Sequence, residues 1–115
     1  MIATPAARFS LPEINHGLPT LPGITIVSGR FDDALAADLV FSGRFMESGE
    51  ALRRGLVNQV VASDELHASA QPLALTLGRK NAQAYAHDKQ WLNLTLRDRL
   101  AAAIKASAEL HDGIP

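Results

Sequence analysis

"GEALRRGLVNQVVASDEL", residues 49–66, passes through three kinds of local structure within eighteen residues. Ser48 to Arg54 reads as a short helix. Gly55 stops it, because glycine adopts the left-handed conformation that closes a helix without a Cβ penalty. Leu56 to Val61, "LVNQVV", is rich in β-branched residues and reads as a strand. Ser63 then stands as an N-cap, with Asp64 and Glu65 behind it to favour the positive end of the next helix dipole.

Downstream of this stretch the signals are helical. The helix opened by Ser63 carries Leu66, Ala70, Leu73 and Leu77 on one face. Pro72 lies inside it and predicts a kink. Asn81 to Leu92 reads as another helix, with Trp91 as a core or interface anchor. Thr95 followed by Asp98 resembles a capping box and predicts a last helix with Leu96, Leu100 and Ile104 on one face, ending near Gly113.

Upstream, Phe31, Leu35, Leu39 and Val40 recur at helical spacing, with Asp32 and Asp33 in the first turn and Gly43 as the stop. Ile24 to Val27 is too short for periodicity to choose between strand and helix. His16 to Gly23 holds two prolines and two glycines and reads as a loop. Ile2 to Thr4 and Arg8 to Leu11 read as short strands broken at Pro5. Short strands followed by helices predict an α+β chain, or the end of something larger.

Composition narrows the function classes. The chain has 115 residues, 47% of them hydrophobic and only 5% aromatic, so it is not disordered by composition, and its apolar content, mostly Ala and Leu, favours helix. Eleven basic and twelve acidic residues give a net charge of −1. No basic patch stands out for nucleic acid or an anionic membrane. No apolar run is long enough to span a bilayer. With no cysteine, disulfide and thiolate chemistry are excluded, and a cytoplasmic setting is expected. His16, His67, His87 and His111 are too scattered to suggest a metal site, and no metal is expected.

Two candidates for chemistry remain. Ser28-Gly29 imitates the turn of a nucleophile elbow, but Ile26 stands where that motif requires glycine, so an ordinary turn is expected. Glu13 is the stronger candidate. It follows Pro12 at the end of a strand, between apolar neighbours Leu11 and Ile14, and leads into a Gly/Pro loop of the kind that carries function. A carboxylate held there is a candidate general acid or base.

Several segments together resemble the crotonase, or enoyl-CoA hydratase/isomerase, superfamily. "ARFSLPEINHGL" (residues 6–17) is similar to the family's strand ending F-x-x-P-E-x-x-x-G. "ALAADLVFSGR" (34–44) resembles its A-x-x-L-x-L-T-G-R helix end. Ala51, Gly55, Leu56, Val57, Val60, Val61 and Leu66 fit the E-A-x-x-x-G-L-V-x-x-V-V-x-x-x-x-L segment that follows. "PLALTLGRKNAQ" (72–83) fits less closely.

The resemblance covers the second half of that fold. It implies the last β-β-α turns of a crotonase-like spiral over residues 1–62, then a helical oligomerisation region over 63–115. It implies an acyl-CoA thioester as substrate, with no cofactor beyond the CoA the substrate carries. Glu13 matches the family's P-E glutamate, an acid/base for water or the α-proton. The same loop implies substrate contacts from His16, Gly17, Pro22 and Gly23. His16 falls where an apolar residue is common, and either lines an acyl pocket or faces solvent.

Both oxyanion-hole donors and the second glutamate of the hydratases belong to the other half. One glutamate without the carbonyl-binding donors is not expected to catalyse hydration. Two functions therefore compete. One is an enzyme part that works with a missing N-terminal half. The other is a non-catalytic oligomerisation or partner-binding module, as a trimer, a hexamer or with another chain. The Ala-rich last helix, "LAAAIKASAEL", would allow close helix approach.

Overall fold

The computed structural model describes residues 1–113. Among them the strands are each two residues long and pair in two separate ladders. β1 (Ile2–Ala3) runs parallel to β4 (Gln59–Val60), and β2 (Arg8–Phe9) antiparallel to β3 (Met46–Glu47). The helices are α1 (Leu21–Arg30), α2 (Asp33–Ser42), α3 (Ser48–Arg53), α4 (Leu66–Gly78) and α5 (Ala82–Asp112). Short 3-10 turns span Pro12–His16 and Ser63–Glu65. The chain is α+β and mostly helical, as the sequence predicts. It divides into two units: Met1–Phe9 with Met46–Leu92, and Ser10–Phe45 with the segment from Asn93 onward.

In the first unit, Pro5 separates β1 from β2, and the Ala7 N–H donates to the Thr4 carbonyl at 3.0 Å to close the turn. The β1–β4 pairing extends past its two registered pairs. Asn58 N–H donates to the Met1 carbonyl at 2.8 Å and Val61 N–H to the Ala3 carbonyl at 2.9 Å. Ser48, only 5% exposed, opens α3 and donates its hydroxyl to the Pro5 carbonyl at 3.0 Å. That bond satisfies a buried hydroxyl and ties α3 to the turn between the strands. Met46, Ala51, Leu56 and Val57 form the buried apolar centre. Gly55, at φ 80°, ends α3 in the left-handed region, as its position in the sequence requires.

In the second unit, Asp32 caps α2 by accepting the Leu35 N–H at 2.7 Å. Leu35, Ala36, Leu39 and Val40 are the buried face of that helix, which packs on α1. Gly43 closes α2 at φ 61°. Arg44 then folds back on Asp38 with two charge-assisted bonds, 3.0 Å from Nε and 2.8 Å from Nη2. Gly29 of α1 lies against α5: a Cβ there would fall 2.7 Å from Leu96 Cδ1. Glycine is what lets the two helices come this close.

Several expectations change. The loop predicted for His16 to Gly23 is shorter, because α1 already begins at Leu21. Pro22 occupies its first turn, where the missing N–H breaks no helix bond, and Gly23 to Val27 continue the helix. Ser28 and Gly29 are helical rather than a turn. Phe31 caps the end of α1 and does not open α2.

The strand predicted over Leu56 to Val61 shrinks to Gln59–Val60. The amides of Leu56 and Val57 both donate to the Ala51 carbonyl, at 2.9 and 3.3 Å, and so belong to the end of α3. Ser63 makes no side-chain cap. A backbone bond from Glu65 N–H to the Ala62 carbonyl, 2.9 Å, turns the chain into α4 instead. Pro72 does lie inside α4.

The two helices predicted on either side of Thr95 are one, thirty-one residues long. Residues 82–112 contain neither glycine nor proline. A lone threonine costs well under about 1 kcal/mol of helix propensity, too little to break it. The effective cap is Asn81, whose Oδ1 accepts the Ala84 N–H at 2.9 Å. Trp91 is 79% exposed and is no core anchor. Residues 114 and 115, the end of the predicted helical region, lie outside the described residues.

Candidate active site around Glu13

Glu13 sits in the first turn of the Pro12–His16 3-10 segment, with Pro12 ahead of it where a helix start needs no amide donor. Two backbone bonds hold the turn. Gly17 N–H donates to the Ile14 carbonyl and Leu18 N–H to the Glu13 carbonyl, both at 3.1 Å. Gly17 reverses the chain at φ 69°, a conformation that favours glycine. A third bond anchors the turn to α2: Asn15 Nδ2 donates to the Gly43 carbonyl at 3.2 Å. The turn that carries Glu13 is therefore held by three hydrogen bonds.

The Glu13 side chain is half-buried, and its Oε2 is fully buried with no hydrogen-bond partner among the described residues. Ser10 Oγ and Asn93 Oδ1, in the same unit, share that condition. A buried carboxylate oxygen without a donor costs on the order of 1–3 kcal/mol or more. Orphaned polar atoms of this kind mark positions that serve something other than stability.

Beside the turn lies an apolar hollow of about 440 Å³. Ile14 comes from the turn, Leu18 from the connection after it, Leu21 and Ile24 from α1, Val40 and Phe41 from α2, with Gly17 at its edge. The size and the lining suit an apolar ligand group. Glu13 itself does not line the hollow; Ile14 and Gly17 of the same turn do.

Of the residues the sequence nominated, Gly17 borders the hollow, while His16, Pro22 and Gly23 do not. His16 is exposed at the end of the 3-10 turn. Gly23 packs inward: a Cβ there would meet Thr20 Oγ1 at 2.5 Å and Leu11 Cδ2 at 3.0 Å. Ser28 donates its hydroxyl to the Asp33 carboxylate. The four histidines are exposed. Among the described residues no three His, Asp or Glu side chains gather around a common point.

The apolar wall was the part the sequence reading missed. Its signal was present, since Ile14, Leu18, Leu21 and Ile24 recur at helical spacing. The prolines and glycines between them masked it.

A sequence profile of the family described as enoyl-CoA hydratase/isomerase matches residues 1–115. The chain belongs to the enoyl-CoA hydratase/isomerase family. A probable enoyl-CoA hydratase of Mycobacterium tuberculosis is 34% identical over 105 residues, 90% of this chain and 41% of that protein. A carnitinyl-CoA dehydratase of Salmonella arizonae is 37% identical over 99 residues, 85% of this chain and 38% of that protein. A solved carnitinyl-CoA hydratase from Mycobacterium avium superposes with a TM-score of 0.80 at 26% identity, covering 95% of this chain and 45% of that one. The chain thus has the crotonase-like fold and spans less than half the length of these relatives. No helix among the described residues is long and apolar enough to cross a membrane.

Proposed function

We propose that this chain is the C-terminal half of an enoyl-CoA hydratase-type active site, with Glu13 as its general acid/base and an acyl-CoA thioester as substrate. The observation that carries the reading is the buried, unpartnered Oε2 of Glu13 on a rigid turn beside an apolar recess. In hydration, the carboxylate would accept a proton from the water whose oxygen bonds to the β-carbon of the enoyl thioester. It would return a proton to the α-carbon as the enolate collapses. The negative charge that develops on the thioester oxygen needs two fixed N–H donors, which the half of the fold outside these 115 residues would supply. Residues 1–62 would form the end of the spiral and 63–115 the assembly region, in a cytoplasmic oligomer, a trimer or hexamer.

The first test is native mass spectrometry of the chain isolated from its own cells, with and without crotonyl-CoA. Under this reading the 12.3 kDa chain is found with a longer polypeptide. The complex takes up crotonyl-CoA and hydrates it, and Glu13→Gln lowers kcat by about 10²–10⁴-fold without dispersing it. A chain seen only as itself or as a homo-oligomer, and indifferent to crotonyl-CoA, removes the enzyme reading. A second reading then stands, a non-catalytic assembly module. It is favoured by the exposure of Trp91 (79%) and Leu92 (74%) on α5.

A further inference from the structure

The corner between α4 and α5, wholly within the first unit, borders an open hollow of about 360 Å³. Leu77 and Gly78 come from the end of α4, Lys80 from the connecting turn, and Ala82 and Tyr85 from the start of α5. Local sequence explains the shape. Gly78 leaves open space, since a Cβ there would meet nothing within 4 Å. Asn81 caps α5 and so fixes Tyr85 one turn in, with Lys89 a further turn along the same face. The Lys89 ammonium stands 5.9 Å from the centroid of the Tyr85 ring.

The charge is one-sided. Arg79, Lys80 and Lys89 face a single acid, Asp88, within this stretch of a chain whose net charge is −1. Neither Lys80 nor Lys89 has a carboxylate partner among the described residues. An apolar floor, one aromatic wall, Lys80 in the lining and the Lys89 ammonium over the Tyr85 ring define a ligand with an apolar planar body and an anionic end.

We propose that this corner binds an organic anion that joins an aromatic ring system to a carboxylate or a phosphate. The ring would lie against Tyr85 over Leu77 and Ala82, in the space that Gly78 leaves, and the anionic group would take the Lys80 and Lys89 ammoniums. This site lies outside the Glu13 region and does not depend on the acyl-CoA reading.

The probes are 2-naphthoate and 1-naphthyl phosphate, titrated into the intact ¹⁵N-labelled chain and followed by amide shifts and calorimetry. Saturable shifts confined to residues 77–89 are expected, with affinity falling as salt rises. The neutral isostere 2-naphthamide should bind at least tenfold more weakly, and so should inorganic phosphate and octanoate. K80Q with K89Q should weaken both probes about tenfold or more. Gly78→Leu, a helix-compatible change that fills the hollow and leaves every charge in place, should abolish binding. Tighter binding of the phosphate points to a nucleotide-like source and equal binding to aromatic carboxylates, and both support the site. Equal affinity for 2-naphthamide and 2-naphthoate, equal affinity for octanoate, shifts elsewhere in the chain, or unaltered binding by Gly78→Leu would each overturn it.

Discussion

Replacing Gly43 by alanine should destabilise the fold more than the same change at Gly17, although both residues have nearly the same backbone. Gly43 has φ 61° and Gly17 φ 69°. Each substitution therefore carries the left-handed penalty of about 1–2 kcal/mol for a residue with a Cβ. The surroundings differ. At Gly17 the new methyl would meet nothing within 4 Å. At Gly43 it would fall 2.7 Å from Asn15 Nδ2 and 2.8 Å from Oδ1, so the amide must swing away. That movement breaks the 3.2 Å bond from Asn15 to the Gly43 carbonyl, worth about 1 kcal/mol net. Gly43→Ala should thus cost about 2–3 kcal/mol and Gly17→Ala about 1–2 kcal/mol. Urea unfolding followed by circular dichroism reads the difference, which should show as an unchanged m-value and a lower midpoint. Adding Asn15→Ala to Gly43→Ala should cost nothing further, because the bond it would remove is already lost, a non-additive result expected of neighbours. If Gly43→Ala is no worse than Gly17→Ala, the proposed anchoring of the Glu13 turn through Asn15 is wrong.

Thr95→Pro should cost about 3 kcal/mol or more and reduce helicity, because it would break a continuous α5; a true helix boundary at Thr95 would tolerate it, and circular dichroism with thermal melting separates the two. Asp32→Ala should lower stability by about 1 kcal/mol by removing the cap on Leu35 N–H, while Asp32→Asn should lower it little, as urea midpoints would show. Leu35→Ala, at a side chain with no exposed surface, should cost about 2–5 kcal/mol in the same assay.

Element type was legible wherever a sequence signal was local and unopposed. Gly43 after Val40 and Gly55 after the short helix each satisfy backbone groups within their own turn, and the structure uses them that way; Asp32, read as a first-turn acid, is instead the N-cap that accepts the Leu35 N–H. The reading failed where two local signals conflicted. Pro19, Pro22, Gly17 and Gly23 read as a loop. Yet proline in a first helical turn is compatible with helix, and Gly23 is needed for the close approach of Thr20 and Leu11 rather than for a bend. It also failed where a signal was present but weak: Thr95 and Asp98 form a cap pattern that an uninterrupted helix overrides. For the candidate site, the position of Glu13 at the exit of β2 could be seen in the order Phe9, Pro12, Glu13, Gly17. The isolation of its buried Oε2 could not, because that depends on which donors the folded chain brings near.

The apolar residues of α4 show a different limit. Leu73, Leu75 and Leu77 are 44%, 49% and 44% exposed. At 100° per residue, Leu73 and Leu77 lie on one face and Leu75 on nearly the opposite one. No single surface can cover all three. A helix apolar on opposite faces is a helix meant for burial on both sides, and here all three leucines keep nearly half of their surface exposed. The sequence pattern places Leu66, Ala70, Leu73 and Leu77 on one face and leaves Leu75 off it. Periodicity can identify a face, but it cannot say which polypeptide covers it. That distinction bears on function. The same 47% apolar content that predicts a folded chain includes residues that the described residues shield only in part. If a second polypeptide buries both faces of α4, Leu75→Glu should disrupt that assembly as much as Leu73→Glu, although each alters a different side. Size-exclusion chromatography of the two variants decides it: an assembly lost only with Leu73→Glu would mean that one side alone is covered.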